Sequence, residues 1–587
     1  MHPSTDYNEW HVLLLAIVLS SAVVAGMNFI PGGGYDPDRG IGQFQSGNNS
    51  LESAENKMFR EVSTEEFVDY KSDRKIFAAL GWQGVYVSDY DDNGFTDILL
   101  IGGEKPILYE NEKGNFWKSG EIERDYPLAR SAHFFDYDSD GDDDLLLLRK
   151  GKTPVMYENV KGKLTEKKNV FETPLSNPLG ATSADYNQDG CIDLFVYQTG
   201  QASANTAYLP AEMNKLQEDI RTDISEFPGG SNILFKGDCG SFQKVSHRAN
   251  ITGEAWSLAA SFVDLNDDSS PDIHVANDFS RDVIYLNNGN GTFSREKMGY
   301  ASRRDAMSSE IALLNNDALP DIFVSNIHAP DRYAHGEGLN WCLIQISGCA
   351  VEVENTGIRF MTSDKGNNLF INQEEGKFKD EAEEYGVRKG GWGWAASITD
   401  FNLDSDLDII QSNSFNSGNQ KGIALSYPSY WEGTKSGFNR IRPEITGLKQ
   451  GTGRGIARLD YDRDGDMDLI IAERGLNSQK VSFSLYENLA TGNYVNIILR
   501  NDDKPVNGAE LVLNTEKNKQ RRIHNSRSDF FSQETQTISF GVESSIRNLT
   551  VEWPNGKSDK FKQIDENTTY IISPGEITDM EQEVLEE

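Results

Sequence analysis

Apolar and polar positions do not alternate evenly along this chain. Unbroken apolar runs follow abruptly on short acidic stretches. In "DYDSDGDDDLLLL" (136–148) the acids Asp136, Asp138, Asp140, Asp142 and Asp144 lead straight into four leucines. A short apolar run bounded by turn residues predicts a strand buried on both faces. The pattern recurs at "DYDDNGFTDILL" from Asp89, "DYNQDGCIDLFV" from Asp185, "DLNDDSSPDIHV" from Asp264, "DFNLDSDLDIIQ" from Asp400 and "DYDRDGDMDLII" from Asp460. A seventh copy, "LLNNDALPDIFV" from Leu313, keeps the frame but has lost its first acid. Start-to-start spacings of 47, 49, 79, 49, 87 and 60 set a basic unit of about 48 residues. The longer intervals carry extra sequence at 198–230 (with helix-like "PAEMNKLQEDI"), 327–366 and 412–440.

A second pattern follows each loop and its strand. "ILYENEKGNF" (107–116), "VMYENVKGKL" (155–164), "ILFKGDCGSF" (233–242), "IYLNNGNGTF" (284–293) and "LFINQEEGKF" (369–378) are apolar runs broken by Asn/Gly turns. Asn and Gly accept the positive φ that tight hairpins need. Each unit therefore reads as four short antiparallel strands: strand, acidic loop, strand, hairpin. Seven such units predict an all-β fold, a seven-bladed β-propeller with a small β-rich domain after it. A solenoid would need capping units at its ends. The last unit, "SFSLYENLATG" (482–492), lacks a fourth strand, whereas "KMFREVSTEEF" (57–67) has that pattern and belongs to no unit. Pairing the two would close the ring and remove an exposed edge.

Residues 12–30, "VLLLAIVLSSAVVAGMNFI", form the only long apolar run, uncharged and long enough to cross a bilayer. It serves either as a signal-peptide core or as a retained anchor, so segment 1–30 predicts export. The map is then signal or anchor 1–30, linker 31–57, propeller 58–490, a β domain 491–574 and an acidic tail 575–587. Four cysteines without a CxxC pair suit disulfides in an exported chain. Cys342 and Cys349 are a local pair. Cys191 and Cys239 fall in two loops on the same edge of one predicted blade.

Charge narrows the function. With 92 acidic and 56 basic residues, the formal charge is −36, which excludes a nucleic-acid backbone as partner. Loop positions one, three, five and nine are Asp or Asn in six of the seven repeats. That many carboxylates in a tight turn repel one another unless a cation neutralises them, and Ca²⁺ takes six to eight oxygens in flexible geometry. Position seven varies freely, as expected of a backbone-carbonyl ligand. The predicted ligands are Asp89, Asp91, Asn93, Phe95 and Asp97 in repeat one, and Asp136, Asp138, Asp140, Asp142 and Asp144 in repeat two. Repeat three offers Asp185, Asn187, Asp189, Cys191 and Asp193; repeat four offers Asp264, Asn266, Asp268, Ser270 and Asp272. Repeats six and seven offer Asp400, Asn402, Asp404, Asp406 and Asp408, and Asp460, Asp462, Asp464, Asp466 and Asp468. About six Ca²⁺ are expected. Position six is Gly94, Gly141, Gly190 and Gly465, suited to a sharp bend, but Ser269 and Ser405 in two loops. An EF-hand is ruled out, because position twelve carries no closing Glu, being apolar at Leu100, Leu147 and Val196.

These loops with their "YEN…G.F" hairpins resemble FG-GAP/VCBS repeats, the units of integrin-type propellers. More narrowly, "GGWGWAASITDFNLDSDLDI" (390–409) and "VANDFSRDVIYLNNGNGTF" (275–293) resemble the cartilage acidic protein family. Residues 492–574, with "NYVNIILRN", "NGAELVL", "FFSQ", "ISFGV" and "LTVEWPNGK", resemble the ASPIC/UnbV domain that follows the propeller there. The resemblance implies an exported, calcium-binding protein of adhesion or matrix type, without an assigned catalytic activity.

Other chemistry is sparse. His133 reads as a packed strand residue; His328 and His335 are the more exposed histidines. "GTGRG" (451–455) lacks the strand–helix setting of a dinucleotide loop. "GGWGW" (390–394) reads as core more than as a stacking platform. Asn48, Asn250, Asn290, Asn548 and Asn567 begin glycosylation sequons. No nucleophile elbow is found, and no carboxylates or histidines converge outside the repeat frame. The expected function is a calcium-stabilised extracellular or cell-surface protein binding a protein or glycan partner, with no enzyme activity. The membrane enters only through an N-terminal anchor. The alternatives are a calcium-dependent propeller hydrolase and a structural subunit of a surface assembly.

Overall fold

The computed structural model describes residues 57–581 apart from 63–69, 72–82, 103–104, 120–121, 123–128, 201–228, 279, 299–305, 316, 328–349, 355–356, 362–365, 375, 417–422, 425, 475–479 and 502–505. The apolar segment 12–30, the helix-like "PAEMNKLQEDI", the Cys342–Cys349 pair, His328 and His335 lie outside the described residues. None of the described helices is long and apolar enough to cross a membrane.

Each acidic loop joins the first two strands of an antiparallel sheet. The sheet of repeat two runs Ala129–Phe135, Asp144–Arg149, Val155–Asn159 and Leu164–Lys167 in sequence order. Among the described residues there are seven sheets of this kind, one per repeat. Leu145 to Leu148 are all fully buried. Neighbouring blades cover both faces of an inner strand, so its sequence is a continuous apolar run. The outer strand Asn115–Lys118 has only Phe116 buried. His133 is buried, stacks on Phe135 and meets the Ser183 hydroxyl at 3.0 Å, as packing predicts.

Two devices hold the blades in order. The Asn of the "YEN" or "LNN" pattern donates its side-chain amide to the position-two carbonyl of the preceding blade. Asn159 reaches Tyr90 O (2.5 Å), Asn287 reaches Tyr186 O (2.8 Å), Asn372 reaches Leu265 O (2.8 Å) and Asn488 reaches Phe401 O (2.7 Å). Asn111 of repeat one reaches Tyr461 O of repeat seven at 2.8 Å, so the order closes on itself. Repeats three and six have Gly237 and Gly433 at this position and lack the clip. Within repeat three the Cys191–Cys239 disulfide joins two loops of one blade, with Cα atoms 5.0 Å apart. The second device is the N-terminal strand Phe59–Glu61. It pairs antiparallel with Lys480–Asn488, placing Phe59 opposite Asn488, and supplies the missing outer strand of the last sheet.

The C-terminal domain has two four-stranded sheets around a core that includes Val495, Leu511, Phe540, Val551 and Trp553. In one sheet, Asn493–Leu499 runs parallel to Thr568–Ser573. Glu576–Asp579 pairs with Thr568–Ser573 as an edge strand. The segment expected as an acidic tail from 575 therefore begins as part of the domain, because Ile577 and Thr578 continue its strand pattern.

Sequence reasoning missed what this domain does between its sheets. Residues 524–536, "HNSRSDFFSQETQ", enter the ring and reach the innermost strand of every repeat. Val85 N donates to Phe531 O (3.0 Å), and Phe134 N to Gln533 Oε1 (2.8 Å). Thr182 Oγ1 and Phe262 N donate to Ser526 O. Ser309 N and Ala396 N donate to the two oxygens of Asp529 (3.3 and 2.6 Å), and Arg458 pairs with buried Glu534. A segment that touches every inner strand lies on the ring axis. Trp394 packs its ring on Phe530 at 4.9 Å, and Trp392 is 2% exposed, so "GGWGW" is structural.

Candidate metal centres

The acidic loops share one backbone course. Position four is left-handed in six loops, at Asp92, Ser139, Gln188, Asp267, Leu403 and Arg463 (φ 55–65°). Position six is left-handed as well, in glycine at four loops but at φ 64° in Ser269 and 81° in Ser405. Ser405 has a reason to be there, since its hydroxyl donates to Gly541 O of the C-terminal domain at 3.1 Å.

This course assigns each acid a task. The position-one carboxylate accepts the position-six amide through Oδ2, as Asp89 does from Gly94 (2.9 Å), Asp185 from Gly190 (2.8 Å) and Asp460 from Gly465 (3.1 Å). Position five caps position seven, as Asp189 does for Cys191 N and Asp464 for Asp466 N, both at 3.2 Å. The position-nine carboxylate clamps two strands. Asp97 accepts Tyr90 N and Asn111 N; Asp144 accepts Tyr137 N and Asn159 N; Asp468 accepts Tyr461 N and Asn488 N. Asp321 of repeat five makes the same pair of bonds, from Leu314 N and Asn372 N, although its loop lacks the first acid.

Several oxygens are left over. Oδ1 of Asp89, Asp138, Asn266, Asp460, Asp462 and Asp466 is buried and accepts no hydrogen bond. A buried acceptor without a partner costs about 1–3 kcal/mol, more when charged. These oxygens fit a hard cation. In repeats one, two and seven three carboxylates bring ligand atoms within 4.8 Å of one another: Asp89, Asp91 and Asp97; Asp136, Asp138 and Asp144; Asp460, Asp462 and Asp464. Burial pushes Asp89 and Asp460 up to about 8 and Asp136 to about 7, with neighbouring acids adding to it. In repeats three, four and six position three is Asn187, Asn266 or Asn402, so the charge is lower. There Lys236 pairs with Asp189, Lys435 with Asp406, and Arg522 lies 4.0 Å from Asp400. Asp138→Ala is expected to weaken calcium binding at its loop about tenfold or more, because it removes a charged ligand. That loss should exceed the effect of any substitution in 313–321, whose loop lacks its first acid; calorimetric titration of each variant checks this.

The C-terminal domain sits against this loop face. Arg500 donates to Asp92 at 2.5 Å, Gly541 N donates to Asp400 at 2.9 Å, and Asn496 Nδ2 donates to Gly465 O at 3.0 Å. Here the structure corrects the expectation that no acids converge outside the repeat frame. Asp92 stands at position four and Asp143 at position eight, neither a ligand position, and both line one cavity beside Arg500. Position eight is otherwise Thr96, Ile192, Pro271, Leu407 or Met467 in the acid-bearing loops. An acid there was the available signal.

The family models agree with the repeat order and with the separate C-terminal domain. The FG-GAP-like repeat family matches residues 89–147, 136–196 and 264–324, and the ASPIC and UnbV family matches residues 500–579. The chain carries FG-GAP-like repeats in an all-β, propeller-type fold, with an ASPIC/UnbV domain C-terminal to them. No curated protein matches it. Similar solved structures include a lectin of Agrocybe aegerita that recognises non-reducing terminal N-acetylglucosamine (13% identity, 68% of this chain, 93% of that chain, TM-score 0.38). Another is the extracellular domain of the hybrid two-component system BT3049 of B. thetaiotaomicron (10% identity, 82% and 52% covered, TM-score 0.37). A third is PorZ, a surface component of the type-IX secretion system of Porphyromonas gingivalis (9% identity, 82% and 59% covered, TM-score 0.34).

Proposed function

We propose that this protein is an exported, seven-bladed propeller stabilised by about six Ca²⁺, which binds an extracellular protein or glycan partner. The observation that supports it most is the set of inward loop oxygens without hydrogen-bond donors. Positions one, three, five and nine of repeats one to four, six and seven supply the ligands, with the carbonyl of position seven. Calcium supplies charge neutralisation there, and the loops then hold the first two strands of each blade at fixed spacing. Export rests on the apolar segment 12–30, and the binding role on the absence of any catalytic motif in the sequence.

Chelation tests this reading. A site held at 100-fold above its Kd contributes about 2.7 kcal/mol, so removing several ions should lower the melting temperature by about 10 °C or more. Mg²⁺ should restore little of it. In emptied loops the folded state holds protons on Asp89, Asp136 and Asp460 that the unfolded chain releases near pH 4. Stability of the calcium-free form therefore falls as pH rises from about 4 towards 8. The chelator effect should be larger at pH 8 than at pH 6. Affinity capture from an extracellular fraction should recover a partner with calcium and lose it with EGTA. An unchanged melting curve in EGTA, with no calcium by atomic absorption, overturns the proposal.

A further inference from the structure

Where the C-terminal domain meets the loops of repeats one, two and seven, the two parts line a half-open cavity of about 210 Å³. Its polar wall is built from Ser88, Asp92, Asp143 and Arg500. Ser88 Oγ donates to Asp143 Oδ2 at 2.5 Å, and Arg500 Nη2 to Asp92 Oδ1 at 2.5 Å. Neither acid has a place in the repeat frame, so neither is explained by the calcium loops. Asn496 also lines the cavity; it is fully buried, its Nδ2 is used by Gly465 O, and its Oδ1 has no hydrogen-bond partner. The apolar part of the wall comes from Val506, Ile498 and Met580.

We propose that this seam cavity, which adjoins the calcium loops, is a second ligand site that takes one small neutral polyhydroxylated molecule of monosaccharide size. The inference rests on the calcium reading above, because ions in the loops satisfy Asp89, Asp136 and Asp460, which also line the cavity. The charged side chains left in the wall, Asp92 and Asp143 against Arg463 and Arg500, are equal in number, so the wall holds both acceptors and donors rather than a single sign of charge. Carboxylates that accept and guanidinium groups that donate suit vicinal hydroxyls, each of which donates and accepts. Apolar side chains beside these groups suit the C–H face of a sugar ring. The volume matches one ring, so the site reads a free sugar or a terminal residue.

The test uses the full chain, calcium-loaded, with a panel of neutral monosaccharides followed by saturation-transfer NMR and titration calorimetry. At least one sugar should bind saturably, with a dissociation constant on the order of 1 mM. Thr537→Trp, which fills the cavity from its wall, should weaken that sugar at least tenfold with an unchanged melting temperature. Gln536→Trp serves the same purpose if the first variant does not fold. Asp143→Asn should also weaken binding, leaving the calcium count unchanged. No saturable sugar in the panel, or undiminished binding by a folded cavity-filling variant, overturns the inference. A protein that binds calcium and melts earlier in EGTA, yet takes no sugar, fails this inference alone and leaves the calcium reading standing.

Discussion

Deleting residues 57–67 is expected to yield a propeller that aggregates or is rapidly proteolysed, even with calcium saturating. The strand Phe59–Glu61 is the outer strand of the last sheet, tying together residues more than 400 positions apart. Phe59 is fully buried, with its ring edge-on to Phe401 at 6.0 Å and to Tyr430 at 6.5 Å. Arg60 donates from Nε to Glu487 at 2.9 Å. Without the strand, Lys480–Asn488 becomes an exposed edge with free amides and carbonyls, the surface that recruits other chains. The single change Phe59→Ala isolates the packing component. It should cost about 3–5 kcal/mol, the usual loss for a buried Phe. Light scattering and thermal unfolding in calcium check both variants. A deletion variant that stays monomeric with an unchanged melting temperature shows that the ring closes by another means.

That closure could be read from the chain because the repeat frame is strict. A unit without its fourth strand and a fourth strand without its unit can be matched by counting. The Cys191–Cys239 bridge was legible for the same reason, both residues having fixed places in one repeat. Asp321 was less legible. Its loop has lost the first acid, yet the residue persists as a clamp on Leu314 N and Asn372 N, a task independent of metal. The Asn of "YEN" looked like a turn residue, but Asn111, Asn159 and Asn488 act as clips between blades, and no pattern within one unit shows its neighbour. Asp92 and Asp143 were hidden among acids that do fit the frame. The axial segment was least visible. "NSRSDFFSQE" has neither period two nor period 3.6, because its partners are backbone groups of seven separate strands.

Replacing Asp529 with alanine is therefore expected to have the second large effect. The side chain is nearly fully buried on the ring axis, and its two oxygens accept Ser309 N of repeat five and Ala396 N of repeat six. The flanking residues are held too: Tyr197 OH meets Ser528 Oγ at 2.9 Å, and Ser528 pairs with Ala260. Alanine leaves two buried amides without acceptors in a place that the surrounding strands close to water. At about 1–3 kcal/mol for each, the loss is about 2–6 kcal/mol. Asp529→Asn keeps one acceptor oxygen but turns an NH₂ towards the second amide, so it should fall between wild type and alanine. Because the segment joins the two domains, its loosening should let the C-terminal domain leave the loop face. Limited proteolysis should then cut within 524–536 in the alanine variant and spare the wild type, with the melting temperature lowered in the same order. Equal melting temperatures and equal protease resistance in all three proteins would mean that Asp529 does not anchor the segment, and that the domain is held by its contacts with the acidic loops instead.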